Sequence, residues 1–279
     1  MKIIFLGCGD IAQRAAAQLL DQHQCFGLRR NPESLPSAIT PLRGDVSDYR
    51  RLQQVLAENF DVLVATLTPD AFTEKAYRNA YLESANALQR ALAAIDSQPK
   101  LVIWVSSTSV YGDTGGAWVD EDSPTEPQTF SGRILLAAEE VIRQLPCNNT
   151  LVRFSGIYGP GRTRMINQVL AGKGRPAEPK QWSNRIHSDD CAGVLAHLIG
   201  LLTESQVPEP LYLASDSKPV TQHDLRRWLA SQLGVELEEE AVNSGPVRRC
   251  SNRALLQSGY QFNYPSYREG YLSLLSDGV

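Results

Sequence analysis

The chain reads as an α/β protein, a doubly wound parallel sheet followed by a smaller C-terminal lobe, and three observations predict it. First, residues 3–6 (Ile-Ile-Phe-Leu) are an unbroken apolar run that breaks at Gly7-Cys8-Gly9 and passes into a helix-forming stretch over residues 11–20. An apolar run without alternation is the pattern of a strand buried on both faces of a parallel sheet. Second, apolar runs at residues 25–28, 61–65, 101–105 and 150–154 alternate with helix-forming stretches at 49–59, 71–95 and 134–145. That order winds helices onto both faces of one sheet. Third, regularity is lost beyond residue 155, where a glycine-rich stretch and a proline-containing polar segment separate the later helices. The expected division is therefore a wound sheet over 1–154, to which 186–216 returns, and a lobe over 155–279.

Composition narrows the function classes. A length of 279 residues is enough to bury a sizeable core. The formal net charge of −4 argues against a nucleic acid as the main partner. No stretch approaches the roughly 18 apolar residues of a membrane-spanning helix. The apolar run before Cys8 is also shorter than the roughly 7 residues a signal peptide needs, so a cytoplasmic protein is expected. The five cysteines are scattered, with neither a CxxC pair nor a Cys/His cluster, and imply neither a disulfide framework nor a zinc site. Cys8 is either a small residue that fits its turn or a thiol that reacts when the turn is empty.

The first turn carries the clearest chemistry. Gly7, Gly9 and Ala12 have the spacing G-x-G-x-x-G/A. The first glycine permits a tight turn, the second lets a pyrophosphate approach the backbone, and the small third residue lets helix pack on strand. Asp10, Ile11 and Ala12 form the first helical turn, whose free amides and positive dipole end favour a phosphate. Asp10 should point away from it. The alternative is a glycine-rich turn without a ligand. After the second strand come Arg29 and Arg30 with no acid between them, where an acid would select NAD and arginine accommodates the 2′-phosphate of NADP. The expected cofactor is thus NADP, with NAD possible; a solvated basic loop is the plain alternative. Asp45 and Val46 follow the third strand at the adenine side, and Ala65 and Thr66 end the fourth at the carboxyl edge.

Several motifs in order resemble the short-chain dehydrogenase/reductases, in their extended, epimerase/dehydratase branch. They are GCGDIA at Gly7, GDV at Gly44, VSSTSVYG at Val105, AAEE at Ala137, LVRFSGIYGPGR at Leu151, NRIHSDDCA at Asn184, LYLASDSKPVT at Leu211 and the pattern from Val247. The resemblance implies a bound NAD(P), with Ser106 on its side, and a small-molecule substrate such as a nucleotide sugar held between sheet edge and lobe. It also implies a Ser/Thr–Tyr–Lys set, with Ser107 in the Ser/Thr position and Thr108 beside it, and a homodimer built on a helix pair.

The segment TFSGRILLAAEE departs from that family. It places Ser131 and Leu135 where the Tyr-x-x-x-Lys pair belongs, and contains no tyrosine or lysine. Tyr111, His187 and Tyr158 lie in segments the resemblance places around the pocket; Tyr111 and His187 are the candidates for the missing proton chemistry, although His187 bonded to Asp189 or Asp190 is the plainer account. Thr108, Arg133, Tyr158 and Arg162 are candidate substrate contacts. Two functions follow: an NAD(P)-dependent oxidoreductase or epimerase/dehydratase with atypical catalytic residues, or a non-catalytic NADP(H)-binding redox sensor or scaffold.

Overall fold

The computed structural model describes residues 1–240 and 247–276. In chain order, the first half runs β1 (Lys2–Leu6), α1 (Asp10–Ala17), β2 (Gln24–Arg29), β3 (Thr40–Arg43), α2 (Tyr49–Leu56), β4 (Val62–Ala65), α3 (Glu74–Tyr77), a π turn (Arg78–Glu83), α4 (Ser84–Ala93) and β5 (Leu101–Ser107). It continues with β6 (Trp118–Val119), α5 (Phe130–Arg143), β7 (Asn149–Phe154), β8 (Gly156–Tyr158), α6 (Arg164–Leu170), β9 (Trp182–Ser183), β10 (Arg185–His187) and α7 (Ser188–Thr203). The last elements are β11 (Leu211–Ala214), β12 (Val220–Thr221), α8 (Gln222–Leu233), β13 (Arg249–Cys250), α9 (Arg253–Gln257) and α10 (Tyr267–Ser276).

Seven strands form one parallel sheet in the order β3-β2-β1-β4-β5-β7-β11. Side-chain alternation in β1 shows why its apolar run is continuous. Ile3 and Phe5 enter the layer shared with α1 and α7 (Ala12, Ala15, Leu195). Ile4 and Leu6 enter the opposite layer with α2, α4 and α5 (Leu52, Leu88, Ile142). This is the doubly wound architecture expected. The chain direction across the sheet reverses between β1 and β4, and such a switch point opens a crevice at the carboxyl ends of the strands.

Both sheet edges are modified. The Gly44 amide donates to the Arg29 carbonyl at 3.1 Å, so the alternation of β3 turns Pro41 outward, where it has no N–H to offer. At the other edge the outward Leu213 amide donates to Glu121 Oε1 at 2.7 Å.

Helix starts differ from the periodicity where a cap decides them. The stretch expected as one helix over 71–95 begins at Glu74, because the Thr73 hydroxyl accepts from the Ala76 amide, and it is interrupted by the π turn. Likewise α5 begins at Phe130 rather than near residue 134, because Thr129 Oγ1 accepts from the Gly132 amide at 3.1 Å. The lobe holds the short pairs β8/β10 and β9/β12 and a core of Ile166, Val169, Leu225, Leu229 and Tyr271 between α6, α8 and α10. No helix among the described residues is long and apolar enough to cross a membrane.

Candidate functional site

A groove of about 350 Å³ lies at the switch point between β1 and β4. Its floor is the turn Gly7-Cys8-Gly9. Gly7 has φ +77°, a left-handed conformation, and a Cβ there would meet Leu67 Cδ2 at 2.8 Å. The Thr66 hydroxyl donates to the Gly7 carbonyl at 2.8 Å and fixes this bend from β4. Gly9 differs: its φ is −92°, and a Cβ there would meet nothing nearer than the Gly7 carbonyl oxygen at 3.9 Å. The protein leaves this space open directly beside the first amides of α1, the space a pyrophosphate needs, so the residues present fit a dinucleotide. Ile11 and Ala12 are buried behind the turn and pack helix on strand. Asp10 points away, as expected, with Oδ1 at 2.8 Å from Arg14 Nε and Oδ2 at 3.3 Å from Arg162 Nη2.

At the far end of the groove Leu28 and Val46 make an apolar wall. Arg29 closes β2, and its Nη1 donates to the Cys8 carbonyl at 3.3 Å. Arg30 forks onto Asp70 at 2.5 and 2.7 Å. Both arginines line the groove, and Asp70, which the sequence reading missed, lines it too. It lies 40 residues from Arg30, and no local signal links them. Asp45 also lines the groove while its Oδ1 accepts from the Ser47 amide at 3.0 Å and hydroxyl at 2.8 Å. Ala65, expected as a cofactor contact, is instead a buried strand residue paired with Leu6 and Trp104. Burial pushes the Cys8 thiol up to about 12, so an empty turn does not make it reactive.

The carboxyl edge separates the catalytic candidates. Ser107 ends β5 half-buried, its Oγ accepting from the Ser109 amide at 3.2 Å. Thr108 beside it is buried. Ser106, expected on the cofactor side, faces inward and donates to Glu139 Oε1 at 2.6 Å. Tyr111 is also drawn inward: its phenol donates to the Asp120 carbonyl at 2.6 Å and accepts from Arg153 Nη1 at 2.9 Å. Burial pushes its pKa up to about 12, so this phenol is a structural joint rather than an accessible acid. His187 caps α7 by accepting the Asp189 amide on Nδ1 at 3.2 Å. Its ring packs between Tyr158 (5.3 Å) and Tyr264 (4.0 Å), and burial lowers its pKa, which keeps it neutral. Tyr158 is buried and stacked on Tyr271 at 4.5 Å. Arg133 is exposed and donates to the Gln128 carbonyl at 3.1 Å. The structure thus gathers the glycine turn, Arg29, Arg30, Asp45, Val46 and Thr66 around one groove and leaves Ser107 at the sheet edge. Ser106, Tyr111, His187 and Tyr158 sit inside the packing.

On α5 the two positions aligned with the family's pair are both buried. Ser131 Oγ lies 3.0 Å from Thr129 Oγ1. Leu135 packs with Val110, Tyr111 and Val119. The aromatic ring at the start of the helix, Phe130, contacts Phe72 at 5.1 Å and Tyr77 at 5.5 Å.

Comparison with known proteins gives the family and the fold. Residues 7–200 match the family described as NAD(P)H-binding. A solved structure from Methylobacillus flagellatus, provisionally named a NAD-dependent epimerase/dehydratase, is 37% identical with a TM-score of 0.84, covering 99% of this chain and 98% of that one. Protein YeeZ of Escherichia coli K12 is 27% identical over 280 residues, covering 95% of this chain and 96% of its own length. The fold alone is shared with UDP-glucuronic acid 4-epimerase of Bacillus cereus, solved with UDP-glucuronic acid and NAD (20% identity, TM-score 0.80, 99% and 100% coverage).

Proposed function

Because the chain belongs to the NAD(P)H-binding short-chain dehydrogenase/reductases of the epimerase/dehydratase kind, we propose that it is an NADP(H)-dependent oxidoreductase or epimerase/dehydratase acting on a small molecule of the nucleotide-sugar class. The observation that carries the cofactor reading is the open space over Gly9, bounded by a glycine whose φ no other residue readily adopts. Bound there, the dinucleotide supplies a hydride acceptor or donor. The protein's part is to hold and orient. Backbone amides of α1 take the pyrophosphate, Leu28 and Val46 flank the adenine, and Arg29 and Arg30 take the 2′-phosphate that distinguishes NADP. Ser107, the candidate hydroxyl left at the sheet edge, steadies the substrate oxygen. With Leu135 in the lysine's position, no ammonium lowers a neighbouring pKa, so proton transfer falls to water or to a substrate group.

That same apolar face of α5 favours a second reading, a nucleotide-binding redox sensor or scaffold without turnover. Calorimetric titration of nucleotide-stripped protein with NADPH and NADH tests the first step. Tight binding with NADPH preferred supports the cofactor assignment, and binding of neither overturns it. Nicotinamide reduction or oxidation is then followed against a panel of nucleotide sugars and small ketones. Sustained turnover that Ser107→Ala abolishes excludes the sensor; binding without turnover across the panel favours it.

A further inference from the structure

Arg162 lies in the lobe's glycine-rich loop, yet its guanidinium reaches back to the first helix of the sheet, 3.3 Å from Asp10. Asp10 directly follows Gly9 in the chain, so the contact ties the lobe's loop to the residue next to the amides expected to receive the pyrophosphate. How Arg162 is presented is informative. Gly159, Pro160, Gly161 and Arg162 form a tight turn closed by the Arg162 amide on the Gly159 carbonyl at 2.9 Å. Proline and then a glycine at φ +75° in the central positions are the features of a type II turn. Its base is fixed, because Gly159 has φ +146° and a Cβ there would lie 2.1 Å from the Ser188 hydroxyl at the start of α7. Its tip is free, with nothing within 4 Å of a Cβ at Gly161.

The charges are arranged so that Arg162 can leave Asp10 without stranding it. Asp10 is held by two guanidiniums, and the Arg14 contact is the shorter, at 2.8 Å. Arg14 is itself anchored to Asp189 at 2.6 Å. The Arg162–Asp10 pair is about 40% exposed on each side, and Asp10 is the sole side-chain partner of Arg162 among the described residues. Such a pair contributes little in water, whereas a guanidinium on a phosphate anion makes a strong charge-assisted contact.

We infer that Arg162 is a pyrophosphate clamp: on dinucleotide binding its guanidinium moves from Asp10 to the pyrophosphate and draws the Gly159–Arg162 turn over the cofactor. The inference rests on the dinucleotide reading of the groove. It reassigns Arg162 from substrate contact to cofactor-positioning residue.

The test is binding of NADPH and of adenosine 2′-phosphate, a probe without a pyrophosphate, to the full chain and to Arg162→Gln. The expected result is a loss of about tenfold for NADPH and almost none for the shorter probe, with partial recovery in Arg162→Lys. Asp10→Asn, which removes the competing carboxylate, is expected to keep or gain NADPH affinity. Melting temperature without nucleotide is expected to be unmoved by Arg162→Gln, as a structural tether would not be. Unchanged NADPH affinity in Arg162→Gln, or equal loss of both probes, overturns the clamp while the groove stands. A wild-type protein that binds neither nucleotide overturns the dinucleotide reading, and the clamp with it.

Discussion

Arg153 of β7 and Glu139 of α5 form an ion pair at 2.6 Å with side chains only 2% and 0% exposed. The guanidinium makes a second contact through Nε at 3.0 Å, and its Nη1 holds the Tyr111 phenol. Ser106 donates to the same carboxylate, and the half-exposed Arg143 reaches its Oε2 at 3.1 Å. One buried pair thereby draws two hydroxyl side chains away from the sheet edge, and both had looked suited to the site.

Breaking that pair on one side leaves a buried cation without its counter-charge. Glu139→Gln is therefore expected to destabilise the fold by about 3–5 kcal/mol in urea unfolding, because its near-identical shape removes charge rather than volume. A loss below about 1 kcal/mol would show that the surrounding hydroxyls alone hold Arg153 in place.

The two glycines of the first turn are expected to fail in different ways. Gly9→Leu fills open space, so it should abolish NADPH binding in calorimetry while the urea midpoint stays close to wild type. Gly7→Ala must adopt φ +77° and press a methyl against Leu67, and should cost about 1–3 kcal/mol of stability. Retained affinity in Gly9→Leu would place the pyrophosphate elsewhere.

At the far end of the groove, Arg29→Asp should reverse or erase the preference for NADPH over NADH, a shift of about tenfold or more. Asp70→Asn releases Arg30 from its fork and should tighten NADPH without affecting NADH. Equal effects on both cofactors would mean that these groups serve the loop and not the 2′-phosphate.

Asp216 gives a pH dependence of definite sign. Its side chain is buried, its Oδ1 accepts the Lys218 amide at 3.1 Å, and Oδ2 has no partner among the described residues. Burial first of all, with Asp190 and Glu269 nearby and Arg185 opposing, pushes the carboxyl up to about 7 from 3.8. The folded protein then keeps a proton that the unfolded chain has released, so this group's contribution to stability falls as pH rises from about 4 to about 7 and is level above. Asp216→Asn should remove that slope. Urea unfolding near pH 5 and near pH 8 checks it, with the variant gaining on wild type at the higher pH.

How much was legible follows from the range of the forces involved. The glycine turn, the five long strands and the arginines after β2 were readable because each is a local pattern. The start of α8 follows the same local logic: Thr221 Oγ1 accepts from the Asp224 amide at 3.0 Å, and its hydroxyl donates to the Asp224 carboxylate at 2.6 Å. Ser106 and Tyr111 were misplaced because their partners lie on other elements, whereas the plainer account of His187, a bond to its neighbour Asp189, is the one the structure bears out. Glu139 is 33 residues from Ser106, and only the packed fold shows which hydroxyl turns inward. Asp70 was missed for the same reason. The β-region serines 106 and 107 look alike in sequence, and the pleat alone sends them to opposite faces.

The sheet's two outermost strands bear on how the protein can assemble. A row of unsatisfied donors and acceptors on an outer strand is an invitation for another chain to extend the ladder. At one end proline has deleted a donor from that row, and at the other a carboxylate already occupies one. Growth by backbone zippering is thus blunted at both ends.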